Sequence, residues 1–301
     1  MPYLAILPII NEKVSLKPSL PWRLGSDLVL KQLSEADKRL ITEYSSTDMQ
    51  RFDIGNDAFY IDIPDINLKG EFKKDKELIE EETRLGALCL QTVFNIVGHK
   101  ETMAIPYGVI VNVDMRPIVN DFYDFDFGGD YLSIKPKEYL VMKSVNKEEI
   151  KGLIEISRQL IKTDIQLRVA MRRYCSALLK SNREDRLIDL TISLESLLPG
   201  KTELAFRFAF YLSLIIDSEL ANRREVFIQL NDLYSARSCL VHGSSEKSEL
   251  KNIEKCLENW PNLVCFAKQC ILYRLNFQQH YPDDPWTSHL LDLAFGKKPI
   301  M

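Results

Sequence analysis

The stretch Asp185-Arg186-Leu187-Ile188-Asp189-Leu190-Thr191-Ile192-Ser193-Leu194-Glu195-Ser196-Leu197-Leu198-Pro199-Gly200 reads as one helix with its stop signal attached. Apolar residues recur at helical periodicity, and Pro199-Gly200 cannot continue the helix. The texture around this stretch is the same from about Ser144 onward. Pro is nearly absent before Pro199, and long amphipathic segments follow one another. One helix fits Lys147–Lys180, with Asn146 as N-cap and Glu148 and Glu149 in the first turn, where the helix dipole favours them. Further helices fit Glu203–Ile216, capped by Thr202, and Arg223–Val241. A last one spans Ser248–Phe277 with a kink at Pro261. The Glu203–Ile216 segment is apolar nearly all round and is expected to be the central buried helix. Short connections between such helices imply an up-and-down bundle.

The first 145 residues differ. Short β-rich runs at Leu4–Ile10, Ala58–Ile63 and Val109–Val113 are punctuated by prolines, and Leu33–Tyr44 and Glu77–Val97 look helical. Asp121–Asp130, aromatic and acidic, reads as a loop or edge hairpin without EF-hand spacing. The expected organisation is an α+β domain over 1–145, followed by an all-α up-and-down bundle with a C-terminal extension over 146–301.

Composition narrows the function classes. The 301 residues are 46% hydrophobic and 27% charged, as in globular proteins. No run of about 18 apolar residues suggests a membrane span. The N-terminal stretch Met1–Pro8 lacks a positive n-region and reads as a strand rather than a signal peptide. The six cysteines form no CxxC pair, which fits free thiols in a cytoplasmic protein rather than a zinc knuckle. The net charge of −4 is uneven: residues 151–301 carry 21 basic and 18 acidic side chains, so the preceding half carries −7. The C-terminal half is the better match for a polyanion. No Walker A, dinucleotide or serine-hydrolase motif is present.

The chemistry concentrates in the fourth helix of the C-terminal half. Phe227, Leu230, Tyr234, Arg237 and Val241 share one stripe, and a guanidinium on an apolar stripe has to be paired or open to a cleft. His242 follows Arg237 by five residues, about 140° around a straight helix, so the two converge only where the helix ends or kinks. Gly243 is a natural terminator there. Glu195 and Arg207 also sit among apolar residues, where a Glu195–Arg207 or Glu195–Arg237 pair would satisfy both charges. The simpler reading of Glu195 and Arg207 is an ion pair organising the bundle. Arg168, Arg172 and Arg173 form a basic helix edge that suits an RNA backbone, or else a solvated face. His99 reads as an exposed residue at a helix end. His280 and His289 flank carboxylates near Trp286, as metal ligands or, more simply, as part of a C-terminal loop packed by Trp286.

Arg186–Leu198, Leu204–Ala209 and Ala236-Arg237-Ser238-Cys239-Leu240-Val241-His242-Gly243 together resemble the Apea-like HEPN domain family, over residues 145–280. Arg-x4-His alone is weak. Its ordered combination with Leu-Glu-x-Leu-Leu and Ala-x-Arg-x-Ala is far more specific. The resemblance implies a small helical bundle that dimerises and acts as a metal-independent endoribonuclease without cofactor, often in antiphage or toxin systems. In that reading Arg237 stabilises the phosphorane, His242 transfers protons and Glu195 orients one of them. Ser238 and Arg207 support the site. Ser238 departs from the Asn, His or Asp often found after the family's arginine, though its hydroxyl retains hydrogen-bonding capacity. The alternative is a catalytically inactive HEPN dimerisation or partner-binding module. The N-terminal domain is expected to sense a trigger, to position substrate or to meet a regulatory protein.

Overall fold

The computed structural model describes residues 3–8, 14–16, 22–24, 28–44, 57–63, 72–97, 109–111, 117–120, 140–142, 147–200, 204–217, 219–243 and 246–296. Asn146, Thr202, Asp121–Asp130 and His99 fall outside them. Contacts divide the chain into two compact units, Met1–Asp126 with Ile134–Gln159 and Phe127–Ser133 with Leu160–Met301.

In the first unit the strands are β1 (Tyr3–Pro8), β2 (Val14–Leu16), β3 (Trp22–Arg23), β4 (Leu28–Gln32), β5 (Asp57–Ile63), β6 (Val109–Val111), β7 (Pro117–Asn120) and β8 (Leu140–Met142). Six of them form a sheet of order β3-β4-β5-β1-β6-β7, every neighbouring pair antiparallel. β1 sits at its interior, with Tyr3 opposite Ile63 and Pro8 opposite Ala58. β2 and β8 pair in parallel as a separate ribbon. The helices are α1 (Glu35–Tyr44) and α2 (Phe72–Val97), the latter packed on β5 and β7. Ser34 opens α1 through reciprocal bonds with Asp37, whose backbone N–H donates to Ser34 Oγ at 3.1 Å while Ser34 Oγ donates to Oδ2 at 2.7 Å.

From Lys147 onward the described residues hold helices and no strands: α3 (Lys147–Thr163), α4 (Ile165–Leu179), α5 (Arg183–Ser196), α6 (Leu204–Ile216), α7 (Leu220–His242), α8 (Lys247–Glu258), α9 (Trp260–His280) and α10 (Trp286–Ala294). The boundary between the units falls inside α3. Among the described residues no helix is long and apolar enough to cross a membrane.

Three expectations about the helices are corrected. The single helix expected over Lys147–Lys180 is two. Asp164 leaves the helical region at φ −99° and ψ 93°, and its carboxylate accepts from the Leu167 backbone N–H at 2.9 Å, starting α4 afresh. Its other oxygen pairs with Arg274 Nη2 of α9 at 2.8 Å. The helix expected over Ser248–Phe277 is likewise two, divided at Asn259. Pro261 lies in the first turn of α9, where its missing N–H costs no hydrogen bond.

The third correction concerns the centre. α6 buries only its later part, Phe208, Ala209 and Leu212–Ile215, while Phe206 is 57% exposed and stacks on Phe210. The element in contact with α4, α6, α7, α8 and α9 is α5. Its buried face is polar in part, and each polar group there is answered. Thr191 Oγ1 donates to Leu187 O and Ser193 Oγ to Ala170 O, each at 2.7 Å. Asp189, 1% exposed, accepts from Ser176 Oγ at 2.6 Å and meets Arg173 Nη1 and Lys180 Nζ at 2.7 Å each. Small hydroxyl residues let α4 and α5 approach closely, and satisfied polar groups are tolerated in a core. Arg173 of the expected RNA-guiding edge is thus committed to Asp189.

All six cysteines are free thiols. Cys265 is exposed, and the other five are buried. Burial pushes the Cys256 thiol up to about 11 and Cys270 well above its ordinary value. Because the thiolate is the attacking form, the native protein at pH 8 is expected to release about one equivalent of colour with a disulfide reagent. The unfolded protein should release all six. Two or more fast thiols in the native protein would contradict this packing.

Candidate functional site

α4, α5, α6 and α7, together with Leu198 and Gly200 after α5, line an open pocket of about 640 Å³. Aliphatic side chains Ile165, Val169, Ile192 and Leu198 form much of its wall. Glu195 enters from the last turn of α5 and Arg237 from the last two turns of α7. The α7 stripe explains how a guanidinium arrives there. Leu230 is fully buried, Tyr234 and Arg237 are half-buried, and Val241 is exposed, so the stripe passes from core to surface at Arg237. The Arg237 Nε is buried and has no hydrogen-bond partner. No ion pair joins Glu195 to Arg237 or to Arg207 among the described residues. The expected Glu195–Arg237 and Glu195–Arg207 pairs are therefore not formed, and Glu195 and Arg237 both line the pocket.

Tyr234 shares their field. Burial raises the pKa of its hydroxyl, Glu195 raises it further, and Arg237 opposes them. The phenol consequently stays protonated at neutral pH, a neutral group beside two opposite charges. Its ring packs on Phe208 at 5.4 Å between centroids. Tyr234 was visible on the α7 stripe, but only the fold places it in reach of both charges. Gln166 and Ser196, which also line the pocket, carry no distinguishing signal in the sequence.

His242 is exposed on the final turn of α7 and does not line this pocket. The helix continues through it and ends at Gly243, which takes the left-handed conformation (φ 73°, ψ 50°) and donates its N–H to Cys239 O at 2.9 Å. The helix thus ends at Gly243 as expected, but only after both residues, so the convergence of Arg237 and His242 expected within one chain does not occur. Because both residues remain helical, Arg237 and His242 of one chain are separated by about 140° and about 7.5 Å along the axis. Ser238 is half-buried beside Arg237 in the sequence.

Arg207 lies across Gly200, which also lines the pocket. A Cβ on Gly200 would come within 2.5 Å of Arg207 Nη1, and the residue's φ of 84° suits glycine. Arg168 is half-buried and Arg172 exposed on α4.

The other histidines separate. His280 is exposed at the end of α9, with Nδ1 2.8 Å from Asn276 O. His289 is buried on α10 against Tyr273 Oη at 2.7 Å, stacked near Phe277 and Trp286. Trp286 begins a helix rather than packing a loop, and donates its indole N–H to Leu197 O at 2.7 Å. Among the described residues no three His, Cys, Asp or Glu side chains gather as metal ligands.

Comparison with protein-family models, curated proteins and solved structures gives no match to this chain.

Proposed function

We propose that the helical C-terminal part is an up-and-down HEPN-type bundle and that the protein is a metal-independent endoribonuclease acting as a homodimer. The observation that carries the reading is Arg237, without an ion-pair partner among the described residues, on the wall of an open pocket, five residues before an exposed His242 at the helix end. A planar guanidinium with free donors is suited to a phosphate and to the extra charge of a phosphorane. The ribose 2′-oxygen attacks phosphorus, the bond to the 5′-oxygen breaks, and the products are a 2′,3′-cyclic phosphate and a 5′-hydroxyl. One proton leaves the 2′-hydroxyl and one reaches the departing 5′-oxygen, and His242 serves one of these transfers.

His242 of the same chain faces away from Arg237. The reading therefore joins Arg237 of one copy to His242 of a second copy docked over the ends of the α7 helices. Glu195 and Tyr234 shape the field around the guanidinium, with Ser238 and Arg207 as supports. The basic α4 face at Arg168 and Arg172 lies on the helix that supplies part of the pocket wall. An antiphage or toxin setting, with a regulatory partner for the N-terminal unit, fits an RNA-destroying activity that has to be restrained. A second reading, a silent dimerisation or partner-binding module, is favoured by the absence of His242 from the pocket lining.

The test is RNA cleavage by the purified full chain in EDTA with product ends mapped. Cyclic phosphate and 5′-hydroxyl ends, lost in Arg237→Ala, are the expected result. Cleavage that requires added metal, or that Arg237→Ala leaves intact, would overturn the reading.

A further inference from the structure

The pocket asks for a ligand with three features. Its aliphatic walls suit a flat, weakly polar body. Its carboxylate, Glu195, accepts hydrogen bonds and donates none. Its guanidinium, Arg237, offers donors that suit an anion or acceptor. The two charges do not neutralise each other, so a ligand that answers both is favoured over one that answers neither. A nucleotide combines a flat base, N–H donors and a phosphate, and a pocket of about 640 Å³ lies within the range that takes ligands of this size.

The four RNA bases differ in what they offer a carboxylate. Guanine presents two adjacent donors, N1–H and the 2-amino group, which match the two carboxylate oxygens. Adenine and cytosine set a single amino group beside a bare ring nitrogen, whose lone pair faces the second oxygen. Uracil sets one N–H between two carbonyls, both of which oppose the carboxylate. We infer that this pocket binds a guanine nucleotide of the RNA strand, with Glu195 accepting from N1–H and the 2-amino group and Arg237 holding its 3′-phosphate. The inference rests on the ribonuclease reading for the identity of the strand, and it assigns that reading a substrate class: cleavage follows guanosine. Glu195 then touches the substrate directly rather than acting through Arg237.

The experiment measures binding of 3′-GMP, 3′-IMP and 3′-AMP to the full chain by calorimetry, beside mapping of the cleavage sites on a mixed-sequence RNA. Inosine lacks only the 2-amino group, so the wild-type protein alone reads the second hydrogen bond. The expected preference for 3′-GMP over 3′-IMP is roughly 10- to 100-fold, as for a hydrogen bond to a charged group. The isosteric Glu195→Gln is expected to remove that preference, because its amide N–H₂ opposes one guanine donor. Arg237→Ala is expected to weaken all three nucleotides and keep their ratio. Equal affinity for the three nucleotides, or a preference unchanged in Glu195→Gln, overturns the inference. Cleavage after all four bases that is lost in Arg237→Ala overturns it as well while leaving the ribonuclease reading intact. A Glu195-dependent guanine preference without any RNA cleavage does the reverse.

Discussion

Replacing His242 or Arg237 by alanine is expected to lower RNA cleavage by about 10²- to 10⁴-fold, the range for a general acid–base group or a charge-stabilising donor. The more decisive result is expected from mixing the two variants. α7 remains helical through both residues, so a single chain directs them about 140° apart. In a two-fold dimer with composite sites, a mixed pair carries Arg237 on one copy and His242 on the other, and one of its two sites is complete. Unfolding and refolding the variants together should therefore recover about a quarter of wild-type activity by random pairing. If the site belongs to one chain, no mixture recovers anything. Sedimentation of the same samples checks that the pairs form, and circular dichroism checks that neither variant is unfolded.

Asp164→Ala is expected to produce the largest loss of stability of any single charged-residue substitution near the pocket, about 3–5 kcal/mol. The carboxylate has two duties. One oxygen caps α4 through Leu167 N–H, and the other holds Arg274. The Arg274 side chain is 9% exposed and that of Asp164 is 22% exposed, so the pair is only lightly screened by solvent. Burial lowers the Arg274 pKa and Asp164 raises it again, which identifies Asp164 as the group that keeps the charge tolerable. The guanidinium also lies over Trp286, 5.0 Å from the ring centroid, so removal of its partner disturbs the seat of α10. Asp164→Asn should cost less, because the amide oxygen still caps the helix. The double variant Asp164→Ala/Arg274→Met should recover part of the loss, since no buried charge remains. Urea unfolding followed by tryptophan fluorescence measures all three. A loss under about 1 kcal/mol for Asp164→Ala would reduce the residue to an ordinary cap.

The two corrected helices show where local reading stops. Asp164 looks like any polar residue on a long amphipathic helix, and nothing nearby distinguishes it. Its partner Arg274 is 110 residues away, so the break is set by a contact that periodicity does not register. The centre of the bundle departs from what hydrophobicity suggests for a related reason. Hydrophobicity pointed to α6, yet α5 holds the centre because its buried Asp189, Thr191 and Ser193 find hydrogen-bond partners on α4 or in its own backbone. Apolar character measures the gain from burial, whereas centrality depends on how closely neighbours can approach. Arg173 taught the same lesson at the surface, where a basic edge proved to be one side of a buried ion-pair network.

Taken by itself, the sequence determined the β-rich beginning, the helical remainder and the ends of several helices. Pro199-Gly200 and Gly243 act through their own backbone geometry, and such signals need no distant partner. It also singled out Arg237 as a charge on an apolar stripe. Only the tertiary structure decided that Glu195 and Arg237 share a pocket without pairing and that His242 stands outside it. The reason is geometric. The pocket wall is drawn from four helices, and the packing angles and depths that bring Ile165, Glu195, Leu204 and Arg237 together depend on the whole core.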